Sequence, residues 1–167
     1  MERKQAWAQA IAAYREALTL KTVNDGDAQD RLAWVLATCP VLKYRDAAEA
    51  VTLAEKAVTA NRNDGVRWIT LGVAYYRAGR WAAALEALHK SRELCEGGDG
   101  GVFFLLAMTY WQKDDRKEAQ RWYDTALRWI DKHQDALKRE LEAAQDIARF
   151  RAEAEKLLQV GKKAPLP

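Results

Sequence analysis

The side chains able to do acid–base, nucleophilic or metal chemistry are few, and their spacing does not suit it. His89 and His133 are the two histidines. A general base needs a proton within hydrogen-bond reach and a pKa near the working pH. His89 falls among Leu88, Lys90 and Ser91, and His133 falls near a helix end, so both read as partly exposed surface residues. Cys39 precedes Pro40 with no histidine close in sequence, and nothing adjacent supplies the depressed pKa that a reactive thiol needs. Cys39 and Cys95 form no C-x-x-C pair, which argues against a disulfide framework and for a reducing compartment. Aspartates and glutamates are plentiful but scattered, without metal-ligand spacing. The run Glu96-Gly-Gly-Asp-Gly-Gly101 has the glycines of a phosphate cradle, yet no P-loop lysine and Ser/Thr follow it, so it reads as a flexible linker. The chain is expected not to be an enzyme, and to need neither cofactor nor metal.

Bulk composition excludes other classes. Charged residues make up 31% of the chain, and the net charge is only +3. Lysine and arginine interleave with aspartate and glutamate and form no basic block, so neither a nucleic-acid nor a membrane footprint stands out. No apolar run is long enough to span a bilayer, and the opening residues lead into an alanine-rich helix, unlike a signal-peptide core. A cytoplasmic location is the expectation. Three prolines and nine glycines in 167 residues leave little room for loops, which points to an all-α chain forming one domain over 1–160.

The elements that carry any site are organised around Trp68-Ile-Thr-Leu-Gly-Val-Ala-Tyr75. Trp68, Leu71 and Tyr75 share one helical face. Gly72 carries no side chain, so a second helix can approach closely there. Ala84, Leu88 and Ser91 form the packing face of that second helix, and Ala78-Gly79 makes the turn, with Gly79 suited to a left-handed helix end. The phase recurs along the chain. Ala50, Ala84 and Ala119 are 34 and 35 residues apart, and Ala54, Leu88, Tyr123 and Ala57, Ser91, Ala126 keep the same steps.

This periodicity divides the chain into a half unit over 2–22, three full units over 27–62, 65–98 and 100–132, a capping helix over 135–158 and a flexible tail, 161–167. Asn24-Asp-Gly-Asp27 ends the first helix and offers Asp27 as an N-cap for the next. Pro40 stops that helix and Asp46 caps its partner. Leu32 to Ala50 is 18 residues where Leu71 to Ala84 is 13, so the turn Thr38–Asp46 is longer by five; such insertions sit on surfaces and often carry function. The last helix presents Leu137, Leu141, Ala144, Ile147, Ala148, Ala154 and Leu157 as its apolar stripe, the mark of a helix that caps a repeat array.

The pattern W-x2-L-G-x2-Y followed by A-x3-L, at Trp68–Tyr75 and Ala84–Leu88, resembles the tetratricopeptide repeat. Phe103, Leu106, Ala107 and Tyr110 with Ala119 and Tyr123 give a degenerate copy. The usual proline at the unit ends is replaced, by Arg62 and Glu96. A narrower resemblance, to tetratricopeptide segments of large planctomycete proteins, rests on Leu32–Pro40, Tyr44-Arg-Asp46, Tyr76-Arg-Ala-Gly79 and Phe103-Phe104. It implies a bacterial source and a module related to a larger signalling protein.

The resemblance to the repeat family implies a right-handed α-solenoid of antiparallel helix pairs whose first helices line a concave, protein-binding face. On that face it places Asp27, Asp30 and Trp34 from the first unit, Ile69, Val73, Tyr76 and Arg77 from the second, and Phe104, Met108, Trp111 and Gln112 from the third. Three readings stand for these residues: a ligand surface, a packing surface for the C-terminal helix, or no role. Lysine and asparagine are missing at the places where chaperone-tail binders clamp a carboxylate, so the implied ligand is a protein or peptide with apolar or aromatic anchors. The expected function is a non-catalytic interaction scaffold. The alternative is an oligomerisation module that uses the first helix, where Trp7, Ile11, Tyr14 and Leu18 make a stripe for self-association beside Ala6, Ala10, Ala13 and Ala17.

Overall fold

The structure, a computed structural model, describes residues 2–20 and 25–159. The helix end expected at Asn24 and the expected tail, 161–167, lie outside them. Among the described residues the fold is all-α, with no strand. The helices are α1 (Glu2–Thr19), α2 (Asp25–Thr38), α3 (Ala47–Ala60), α4 (Gly65–Arg77), α5 (Trp81–Leu94), α6 (Gly100–Gln112), α7 (Arg116–Lys132), α8 (Gln134–Leu137) and α9 (Leu141–Leu158). The chain divides into two compact units between Gly97 and Gly98, in place of the single domain expected over 1–160. The division falls where Glu96, Gly97 and Gly98 all take positive φ, at 49°, 118° and 86°.

In the first unit α1 packs on α2, α2 on α3, and α4 on α5, while α4 also lies against α2 and α3. The repeat phase is borne out by burial. Ala50, Ala54 and Ala57 of α3, Ala84, Leu88 and Ser91 of α5, and in the second unit Ala119, Tyr123 and Ala126 of α7 are all buried. Gly72 is where α4 and α5 meet: a Cβ there would lie 2.7 Å from Leu88 Cγ and Cδ2. The turn after α4 closes as a Schellman pair, Gly79 N–H to Tyr76 O at 3.1 Å and Arg80 N–H to Tyr75 O at 2.9 Å, with Gly79 at φ 72°. One period on, Asp114 at φ 64° does the same work, with Asp114 N–H to Trp111 O and Asp115 N–H to Tyr110 O, both 3.0 Å. Aspartate is among the few residues that tolerate the left-handed region.

Aspartates also start the helices. Asp46, Asp64, Asp99 and Asp115 each accept from a backbone N–H of the first turn that follows. Asp27 is not an N-cap as expected: α2 already begins at Asp25, and the Asp27 carboxylate is turned to Arg67. The long turn after α2 holds a short 3-10 segment, Leu42–Tyr44. Its geometry is fixed by Arg45 Nε donating to Cys39 O at 2.7 Å.

The second unit sets α6 against both α7 and α9. Two expectations are corrected here. Gly100 and Gly101 belong to α6, not to a flexible linker. A Cβ on Gly100 would lie 3.0 Å from the Trp129 ring, and one on Gly101 would lie 3.6 Å from Phe150, so these glycines admit close neighbours. The final helix is not continuous over 135–158. Arg139 and Glu140 N–H both bond back to Ala136 O, tightening the chain into a turn that re-aims α9. Its buried stripe is Ile147, Phe150, Ala154 and Leu158. Ala148 is exposed and Leu141 is 67% exposed, contrary to the stripe read from sequence.

Candidate functional site

Two contacts tie α2 to α4 at one offset. Arg67 Nη2 donates to Asp27 Oδ1 at 2.5 Å, and Arg77 Nε donates to Ala37 O at 3.1 Å. Each pair is 40 residues apart, so the two helices run parallel and in register. The 34-residue step from Ala50 to Ala84 plus the five residues by which the Thr38–Asp46 turn is longer gives 39, one residue short of this offset. In this register Trp34 comes level with Ala74.

Burial sorts the expected contact residues. Trp34, Ile69 and Arg77 are half-buried and present surface. Val73 and Tyr76 are buried, with Tyr76 held in a tilted contact with Trp81 at 5.3 Å between ring centroids. In the second unit Phe104 and Met108 are buried, Trp111 is half-buried and Gln112 is exposed. Val73, Tyr76, Phe104 and Met108 are therefore core side chains in this structure, not a surface for a ligand. For α6 the reason is visible in its composition: Val102-Phe-Phe-Leu-Leu-Ala-Met108 is apolar without interruption, and a helix apolar all round is buried. The Trp111 ring is covered by its own chain, with the Arg116 guanidinium 3.7 Å from the ring centroid and Arg116 Nη1 donating to Trp111 O at 2.9 Å.

The stripe assigned to self-association is α1's packing face. Ile11 is 7% exposed, Trp7, Tyr14 and Leu18 are half-buried, and α1 packs on α2. The larger side chains of α1 are used within the unit, and Ala6, Ala12 and Ala13 are left exposed.

Beside Trp34 lies a polar cluster whose organising residue, Arg67, had no role in the sequence reading. Its side chain is only 11% exposed and is held by Asp27, by Asp64 Oδ2 at 3.2 Å and by Ala57 O at 2.9 Å. The one sequence signal for it is Gly26, where a Cβ would lie 2.6 Å from Arg67 Nη1. Burial pushes the Asp30 carboxyl above its usual range, against the hydrogen bond from Thr70 and the charge of Arg67, and Asp30 Oδ1 is buried without a hydrogen bond. A raised folded-state pKa means that the folded form binds the proton more tightly. Asp30 therefore favours folding below the unfolded carboxyl pKa, and that contribution is lost as pH rises through the folded value. Asp30→Asn should raise the urea midpoint at pH 7 and flatten the mildly acidic part of the stability–pH curve. A lower midpoint at pH 7 would show that the carboxylate's pairing with Arg67 outweighs its desolvation.

The residues with catalytic potential are engaged structurally. Cys39 is buried. His133 stacks on Trp129 at 4.2 Å and its Nδ1 lies 2.8 Å from Trp129 O. His89 Nδ1 lies 3.3 Å from Arg92 Nη1. Among the described residues, no group of three His, Cys, Asp or Glu is placed to hold a metal ion, and no helix is long and apolar enough to cross a membrane.

Antiparallel helix pairs in a common phase, with first helices parallel and in register, define an α-helical repeat architecture. Residues 66–97 and residues 101–133 each match a family model described as tetratricopeptide repeat. The first stretch opens with α4 and ends just past α5, and the second spans all but the first residue of α6 together with α7, so each match is one helix pair. Residues 27–62 lie outside both matches and share with them the burial of the second helix's small residues, Ala50, Ala54 and Ala57. No curated protein matches the chain. Repeats of this family generally mediate protein–protein interaction or scaffolding.

Proposed function

We propose that this chain is a non-catalytic interaction scaffold that holds a segment of a partner protein on the α2–α4 face of the first unit. Trp34 and Ile69 are the anchors, and Arg77 and the carboxylates around Arg67 are the polar rim. The supporting observation is the placement of a half-buried tryptophan and isoleucine on parallel first helices of adjacent helix pairs. Partly exposed aromatic side chains beside arginine are the common composition of interface anchors. Arg77 is fixed by the α2 carbonyl terminus, so little side-chain entropy remains for binding to remove. Removing both anchors (Trp34→Ala with Ile69→Ala) should cut capture of the partner while helical signal and cooperative unfolding persist. Undiminished capture by the folded variant would move the binding surface elsewhere, with the Thr38–Asp46 turn next to be tested.

A further inference from the structure

The opposite side of α4 carries a second surface. Trp68, Leu71 and Tyr75 point away from Thr70, Val73 and Arg77 by about half a helical turn. Over them, between α3 and α5, opens a cavity of about 330 Å³. Its floor is Val58, Leu71 and Ala87, all buried, and Trp68 and Tyr75 stand half-exposed at its two ends. Both aromatic rings are held in place: Trp68 Nε1 donates to Arg62 O at 2.8 Å, and the Tyr75 hydroxyl donates to Glu55 Oε1 at 2.8 Å.

The two ends differ in charge. Arg62 lies at the Trp68 end. The Tyr75 end carries Glu55 and Glu86, and burial together with these two carboxylates lifts the Tyr75 phenol to about 12, so it remains a donor at physiological pH. The way a cation sits at this end is already visible within the chain. The Arg80 guanidinium lies 4.5 Å from the Tyr75 ring centroid, with Nη1 3.6 Å from Glu55 Oε1. Glu86 is exposed on the cavity rim, and no ion pair to it is formed among the described residues.

We propose that this cleft is a docking surface for a basic segment of a partner protein, with an arginine or lysine stem laid along Leu71 and Ala87 and its charged head against Glu86. A long cationic side chain suits both parts of the site, because its aliphatic stem covers apolar surface while its head reaches a carboxylate. At the Tyr75 end an acidic side chain would meet Glu86 with like charge, while Arg62 lies at the opposite end. The cleft lies on the other side of α4 from Trp34 and Ile69, so the two surfaces can be tested separately.

The test uses the full chain labelled with nitrogen-15 and two blocked, alanine-based helical peptides. One carries leucine and arginine a helical turn apart, and the other has glutamate in place of the arginine. The Trp68 indole resonance is identified through Trp68→Phe. The arginine peptide should shift that resonance saturably, the glutamate peptide should bind at least about fivefold more weakly, and Glu86→Lys should weaken the arginine peptide by about fivefold or more, with the helical signal kept and the Trp34 indole unmoved. An unmoved Trp68 resonance, equal binding of the two peptides, or full affinity in Glu86→Lys would overturn the proposal. A shift confined to Trp34 would also overturn it, and would support the α2–α4 face instead.

Discussion

Phe150→Ala should destabilise the second unit by about 3–5 kcal/mol, the usual cost of emptying a fully buried phenylalanine site. Phe150 is 1% exposed and lies where a Cβ on Gly101 would be 3.6 Å from its ring. It is the largest side chain in the buried stripe of α9, which also holds Ile147, Ala154 and Leu158. A helix of this length has little stability of its own in water, so its order depends on that stripe. The loss is comparable with the whole stability of a small domain. Urea unfolding followed by circular dichroism measures it, and limited proteolysis should cut α9 much faster in the variant. An unchanged midpoint with α9 still protected would mean that the helix is held by other contacts, such as the Tyr123 hydroxyl to Glu155 at 3.2 Å.

Gly72→Leu should cost the first unit about 1–3 kcal/mol through overpacking. The gain in helix propensity, up to about 1 kcal/mol against glycine, is smaller and of opposite sign. Even a Cβ would lie 2.7 Å from Leu88 Cγ, and Leu88 is fully buried. The helices must therefore separate, which uncovers Ala84 and Ser91 as well. Chemical denaturation gives the value. A midpoint equal to or above that of the parent protein would contradict the close approach of α4 and α5.

The helix pairs were legible because each second helix repeats one pattern of small and apolar residues at fixed period. The longer α2–α3 turn could be read as well: the five extra residues counted between Leu32 and Ala50 widen the 34-residue step to 39, within one residue of the 40-residue contacts of α2 on α4. The break between α8 and α9 was not legible. No glycine or proline marks it; the turn is made by backbone bonds to Ala136 O, and α9 beyond it packs on α6. The glycines at Gly100 and Gly101 misled for a related reason, since the rings that crowd them come from far along the chain.

Placing the site from helix phase alone was less successful. In the first unit the residues placed by phase divide: Trp34, Ile69 and Arg77 are half-buried, and Val73 and Tyr76 are buried. Phase also put Phe104 and Met108 at a surface, although α6 has no polar face to turn to solvent. The Arg67 cluster joins residues from α2, α3 and α4, a meeting that no local pattern announces.

The central claim, that the α2–α4 face binds a partner segment through Trp34 and Ile69, is tested most directly by selecting binders from a random displayed-peptide library on the intact chain and measuring their affinity for Ile69→Glu. Selected peptides should carry apolar or aromatic anchors and lose about tenfold or more in affinity for a variant whose helical signal and melting are kept. Peptides that bind the folded Ile69→Glu and Trp34→Ser variants as tightly as the parent chain would contradict it.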